Sequence, residues 1–429
     1  MPGTRGAAAV GAAAVLALTA GCGMLGLGGE AEESDADRLV EMLNESNRVD
    51  AELAAAEFRV VEQCLEAEGF TVHEPWMMQA YEPEVQESLT SYYPHESFLV
   101  GADEAAEYGF GQWANSPDGW EDPAAEDYYA SEEEEYEEEG TWEEPDTTEW
   151  DALSPEDQYG WYVAYQGQEY AEWQYGTAQD YADMMSGEGE WAEEGTDDAT
   201  EAPDEDAAAE EEEAESEEGS IEFEEDDMGP EPKPGGCQLE MIEALYGEPE
   251  LVEETYEGEG GAEESYSYWT YRPENPAWAD EAMWEDIEAD YAEEMAGLQD
   301  ELLDCISGKG YEGWEFDQYN SLPVWEFFNA LYYQDASEEE QDMMIGDTEA
   351  VIPPLPEDAG DSYEEWKAYE IQTAVDFDAC GEEIGYADAS EKAYEEVHVK
   401  AYAAIEQDVY AWQEDMNDAI SKAQELLDA

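Results

Sequence analysis

Three histidines and five cysteines are the side chains of this 429-residue chain best suited to nucleophilic, acid–base or metal chemistry. His73 follows a turn pattern, His95 sits in "YYPHES" and His398 falls on a terminal helical pattern. A Ser–His–acid triad could use His95, but the chain has no Gly-x-Ser-x-Gly elbow to present a nucleophile. It also lacks HExxH, the phosphate-binding P-loop and the dinucleotide glycine fingerprint. The run "DFDACG" puts Asp376, Asp378 and Gly381 at positions one, three and six of a calcium loop. Position five is then Cys380 and position twelve Ala387, where a bidentate Glu belongs, so the comparison fails. No two cysteines have CxxC spacing, which argues against zinc and thiol-redox chemistry. The expectation is no catalytic residue and no metal site, in a chain that is not an enzyme.

The cysteines have other uses. Residues 1–21 carry Arg5 and then an Ala/Val/Leu run, the pattern of a secretory signal and too short for a spanning helix. The run ends in Leu18-Thr19-Ala20-Gly21-Cys22, which resembles the lipobox of bacterial lipoprotein precursors, with Thr19 where Leu is commoner. That resemblance implies cleavage before Cys22 and acylation of its thiol, with palmitate as the expected chain type. Acyl chains contribute about 0.8 kcal/mol per buried CH2, so several hold a folded body at a membrane. Setting Cys22 aside leaves Cys64, Cys237, Cys305 and Cys380, an even number in an exported chain. Two disulfides are expected, and four cysteines allow three connectivities. The sequential pairs Cys64–Cys237 and Cys305–Cys380 are preferred, with the others open.

Composition narrows the partners. Acidic residues number 121 against 11 basic ones, a formal net charge of −110, which excludes nucleic acid and anionic headgroups as electrostatic partners. Part of the acid lies in runs at 131–140 and 205–227, yet the segments that read as folded are acidic too. Such a surface suits a salty exterior, where counterions screen self-repulsion. Weak, nonspecific Ca2+ or Mg2+ binding is the only cofactor-like behaviour expected of the runs.

Helical periodicity dominates the rest. Leu39, Met42, Val49, Leu53, Val60 and Cys64 share one face of a helix over 35–68, stopped by Gly69. Ser154 reads as an N-cap, with Pro155 in the first turn and Glu156 and Asp157 at the positive dipole end. Further helices are expected over "CQLEMIEALYG", "NPAWADEAMW…ISGKGY", "LPVWEFFNALYY", the stretch opened by Ser337, and "SYEEWKAYEIQTAVDFDACGEEIGY". The last forty residues place Tyr394, Val397, Ala401, Ile405, Val409, Trp412, Met416, Ile420, Ala423 and Leu427 on one stripe. Convincing alternating strands are few. The expected fold is mainly α: a disulfide-stapled helical body with long acidic disordered insertions and a long C-terminal amphipathic helix. Its segments are a lipoprotein signal peptide (1–21), a tether (22–34), an N-terminal helical segment (35–185) with an acidic insertion near 131–150, an acidic disordered linker (186–234) and a C-terminal helical segment (235–429).

Two stretches mirror each other, "VVEQCLEAEGF" and "LLDCISGKGY": each has a cysteine, four residues, a glycine and an aromatic. With the lipobox, "YGFG" (108–111), "LSPEDQYGW", "GGCQLEMIEALYG" and "DFDACGEEIGY", they make the chain similar to a group of uncharacterised secreted lipoproteins of actinobacteria. The resemblance implies a cell-surface lipoprotein with paired cysteines on the extracellular face of the membrane, and carries over no catalytic residue. The expected role is structural or interactive, toward an envelope protein or cell-wall polymer. The alternative is a ligand-binding lipoprotein for wall glycan, solute or divalent cation. The 15 Trp and 29 Tyr could stack on glycan, but helical spacing places most of them in cores or at wet core edges, and an importer's solute-binding fold needs βαβ units that are missing.

Overall fold

The computed structural model describes residues 34–83, 85–137, 145–186, 230–257, 263–279, 281–334, 336–345, 350–356 and 359–429. Cys22, the residues expected as a signal peptide (1–21), most of the expected tether and the acidic run at 205–227 lie outside the described residues. The fold is mainly α, with 67% helix against 4% strand. In chain order the first helices are α1 (Asp35–Glu68), α2 (Ala102–Glu107), α3 (Pro123–Glu137), α4 (Thr148–Asp151), α5 (Pro155–Gln166), α6 (Gln168–Tyr175), α7 (Ala178–Ser186) and α8 (Gly236–Leu245). A hairpin follows, β1 (Glu250–Glu257) and β2 (Glu263–Thr270), and then α9 (Pro276–Ala279), α10 (Glu281–Lys309), α11 (Val324–Tyr332), α12 (Glu338–Ile345), α13 (Tyr363–Ile384) and α14 (Tyr386–Leu427). No helix among the described residues is long and apolar enough to cross a membrane.

The apolar stripes read from the sequence make α1 and α14 the spine. Arg38 pairs with Glu406, Gln413 bonds the Met42 carbonyl and Ser46, and Val49 and Leu53 pack with Trp412, Met416 and Ala419. These matches rise together along both helices, so α1 and α14 run parallel. The 42 residues of α14 span about 60 Å at 1.5 Å per residue. That is long enough to serve a large core at its start, built with α10, α11 and α13, and a smaller one at its end, built with α5, α7 and α8. Residues Asp35–Ala429 accordingly form one compact unit, with the segments before and after the linker sharing the same spine.

The mirrored stretches are the same structure twice. Gly69 and Gly310 adopt φ of 107° and 112°, a region that favours glycine. The next residue's N–H then reaches back to the helix, Phe70 to the Leu65 carbonyl at 3.0 Å and Tyr311 to the Ile306 carbonyl at 3.1 Å. This is the 6→1 bond of a glycine-terminated helix end. Ser154 caps α5 as expected, accepting the Asp157 N–H at 3.2 Å.

Three stretches differ from expectation. The acidic insertion near 131–150 is helical at both ends: α3 continues through 137, and α4 buries Trp150 against Trp161 and Tyr162. One buried indole gives that end the apolar area a solvated run lacks. Of the expected linker (186–234), residues 187–229 lie outside the described residues, Ser186 closes α7, and Glu231 is laid on the body. Tyr170 donates to Glu231 at 2.7 Å, and the Trp269 indole donates to the Glu231 carbonyl at 3.2 Å. The hairpin is the third: β1 (ELVEETYE) alternates nowhere and β2 (EESYSYWT) alternates Ser with Tyr over only four residues, so no apolar face marks them. Leu251 lies opposite Trp269, and Tyr268 donates across the pair to Glu254 at 2.7 Å.

Candidate functional site

Among the described residues, most chemistry-bearing side chains serve the structure. The cysteines are paired Cys64–Cys237, with Cα atoms 5.7 Å apart, and Cys305–Cys380, at 5.9 Å. The first ties the end of α1 to α8, the second the end of α10 to α13, so the sequential connectivity is the one observed. Of the calcium-like run, Asp376 is held by Lys309 and Tyr311, both at 2.9 Å, on the continuous helix α13. No loop exists there to wrap an ion.

The histidines are also occupied. His398 is buried, its Nδ1 lying 2.8 Å from the Tyr394 carbonyl, and burial lowers its pKa. His95 Nδ1 lies 2.9 Å from Ser390 Oγ, which is also 2.7 Å from the Tyr291 hydroxyl. That Ser–His contact was not foreseen, but Ser390 is fully buried inside α14 and offers no exposed nucleophile. Burial lowers the His95 pKa too, against Glu96 and Glu391, which raise it. His73 groups with Glu62 and Glu66, their ligand-type atoms all within 4.8 Å of one another. The Trp161 indole N–H donates to His73 Nδ1 at 3.2 Å. An indole can only donate, so the ring's own proton sits on Nε2, whereas a metal-bound imidazole donates from its second nitrogen. The cluster suits a hydrogen-bonded network better than an ion.

Glu370 on α13 is the most perturbed acid. Its side chain is fully buried, yet Oε1 accepts the Phe110 and Gln112 N–H groups at 3.1 and 2.9 Å. Oε2 accepts the Trp113 N–H at 3.0 Å and the Tyr332 hydroxyl at 2.5 Å. Burial pushes its pKa up to about 7, opposed by the Tyr332 hydroxyl and the three backbone donors. One turn earlier, Lys367 pairs with Asp122 at 2.7 Å and lies 3.1 Å from the Trp113 ring centroid. All these partners come from the chain itself: Glu370 pins the "YGFGQW" segment to α13.

A further place is open. Arg272, one of 11 basic residues in the chain, leaves β2 between Asp50 at 3.5 Å and Glu57 at 3.7 Å. Asp50 and Glu57 are seven apart on α1 and share a face. Tyr81 donates to Asp50 and Tyr246 to Glu57, so five side chains form one line. Burial pushes the Glu57 carboxyl up, against Arg272 and the Tyr246 hydroxyl; Arg272 is raised despite its burial because Glu57 and Asp50 outweigh it. Arg272 Nη1 is nevertheless buried without a hydrogen-bond partner. Beside it opens a groove of about 900 Å³, walled by Asn47 and Asp50 of α1, the loop with Tyr81 and Gln86, the Arg272–Asn275 segment, Trp278 of α9 and Trp412 of α14. The walls are fixed. Asn44 and Gln86 exchange two bonds at 2.7 and 2.9 Å, and the Trp412 indole donates to the Pro273 carbonyl at 3.0 Å.

Fold and site together define, among the described residues, a mainly helical, two-disulfide body with an aromatic-walled groove on its spine. No family model matches the chain, and neither does any curated protein or solved structure.

Proposed function

We propose that the chain is an exported, lipid-anchored protein of the extracellular membrane face that works in the cell envelope by binding rather than by catalysis. The observation that carries the reading is the pair of disulfides, each joining two helices of the described body. Disulfides of this kind persist in oxidising compartments and are rare where thiols are kept reduced. The lipobox at Leu18–Cys22 supplies the anchor in this reading, and the strongly acidic body stands off anionic headgroups. A binding role is supported by the Arg272 groove, which leaves the exposed rings of Tyr81 and Trp278 open beside its polar lining. Fractionation of expressing cells tests it. The chain is expected in the membrane fraction, cleaved by protease added outside, and the Cys22→Ala chain is expected to leave that fraction. Protection from outside protease, or retention of the variant, would count against the reading.

A further inference from the structure

We infer that the groove beside Arg272 is a binding site for an uncharged saccharide, stacked on Trp278 and Tyr81 and hydrogen-bonded by Arg272 and the groove's amides. The inference rests on the envelope reading for where the ligand is met, but not for whether it binds.

The volume of about 900 Å³ lies in the range of small-ligand sites, roughly 300–1,000 Å³. Trp278 and Tyr81 keep 45% and 49% of their surface exposed, although both stand on walls braced by hydrogen bonds. A rigid, half-open aromatic wall presents a large apolar face at little ordering cost. Trp412 lies deeper, and its N–H is already used on Pro273, so it offers only apolar contact to an occupant. The polar groups around these rings are Asn47, Gln86, Asn275 and Arg272. Amides both donate and accept, and the guanidinium donates, which matches the alternating needs of sugar hydroxyls. A sugar ring also carries the C–H faces that stack on indole and phenol.

Charge selects within the saccharides. Arg272 is the groove's cation, already balanced by Asp50 and Glu57, while Glu82 and Glu274 add exposed acid at the rim. An anionic sugar therefore meets net repulsion. A cationic ligand meets Arg272 inside and attraction only from rim acids that salt screens. What persists in salt is stacking and neutral hydrogen bonding.

The test is titration of the purified full-length protein, read by tryptophan fluorescence and calorimetry, in low and molar NaCl. The probes are neutral trimers of glucose, mannose, galactose and N-acetylglucosamine, the cationic glucosamine trimer, the anionic galacturonate trimer, and glycine betaine. At least one neutral trimer is expected to bind with nearly the same affinity in both salts. Trp278→Ala and Tyr81→Ala are each expected to weaken it about tenfold or more. Trp325→Ala, at a tryptophan of equal exposure (46%) on α11, is expected to leave it unchanged. The Cys22→Ala chain should bind equally, so a failed anchor leaves this result standing. Three outcomes overturn the inference: no neutral trimer binding, binding confined to charged probes or betaine, or neutral binding unaffected by both groove substitutions in chains with unchanged circular dichroism.

Discussion

Replacing Glu370 by Gln turns the buried carboxylate into a measurable pH dependence. In the folded chain its pKa is pushed up to about 7, from an ordinary value of 4.5. A folded pKa above the unfolded one means that the folded state holds the extra proton between those values. The contribution is then fully present below about pH 4.5 and is lost as pH rises through 7. A shift of this size corresponds to roughly 3 kcal/mol at 1.36 kcal/mol per unit. Gln is neutral throughout, but its amide nitrogen cannot accept the bonds now made to Oε2. The Trp113 N–H, at 3.0 Å, loses its acceptor, which costs about 1–3 kcal/mol. The assay is denaturant unfolding of both chains at matched high salt, from about pH 4 to pH 8. Subtracting one from the other cancels the background of 121 acidic residues. The wild-type advantage is expected to shrink by about 3 kcal/mol across that range. A flat difference, or one that grows with pH, would mean that the four donors outweigh burial, and the reasoning about Glu370 would be wrong.

Other expectations are shorter to state. Gly69→Ala and Gly310→Ala meet no atom within 4 Å, so each should cost only the backbone strain of its positive φ, about 1–2 kcal/mol by denaturant unfolding; a clear inequality between them would break the equivalence of the two helix ends. Converting Cys305 and Cys380 to Ala together reopens a 75-residue separation and should cost about 4 kcal/mol on the chain-entropy account. Non-reducing peptide mapping should join Cys64 to Cys237, and a Cys64–Cys305 peptide would contradict the fold. With a net charge of −110, the melting temperature followed by circular dichroism should rise from low to molar NaCl, and no rise would remove the salt-screening account.

The helices were legible because their apolar residues recur at three and four, and their ends carry Ser, Pro and Gly where caps need them. The hairpin was hidden because β1 does not alternate and the Ser–Tyr alternation of β2 runs for only four residues, with Tyr266 and Tyr268 bonded to Glu254 in place of an apolar face. The Arg272 groove was hidden for a different reason: its walls come from α1, a loop, the exit of β2, α9 and α14, which only the parallel packing of α1 with α14 brings together. One signal was available. Glu57 falls four residues after Leu53 on the stripe of α1, and Glu370 four after Trp366 on that of α13. An acid on an apolar stripe must find donors, and both of these did. The same rule singles out Arg272, a scarce cation among aromatics that had to find its acids.

The most direct measurement on the central claim is the mass of the N-terminal peptide of the protein purified from membranes. The account predicts that it begins at Cys22 and carries diacylglycerol on the thiol. An N-terminal peptide beginning elsewhere, or a Cys22 with no lipid, would contradict it.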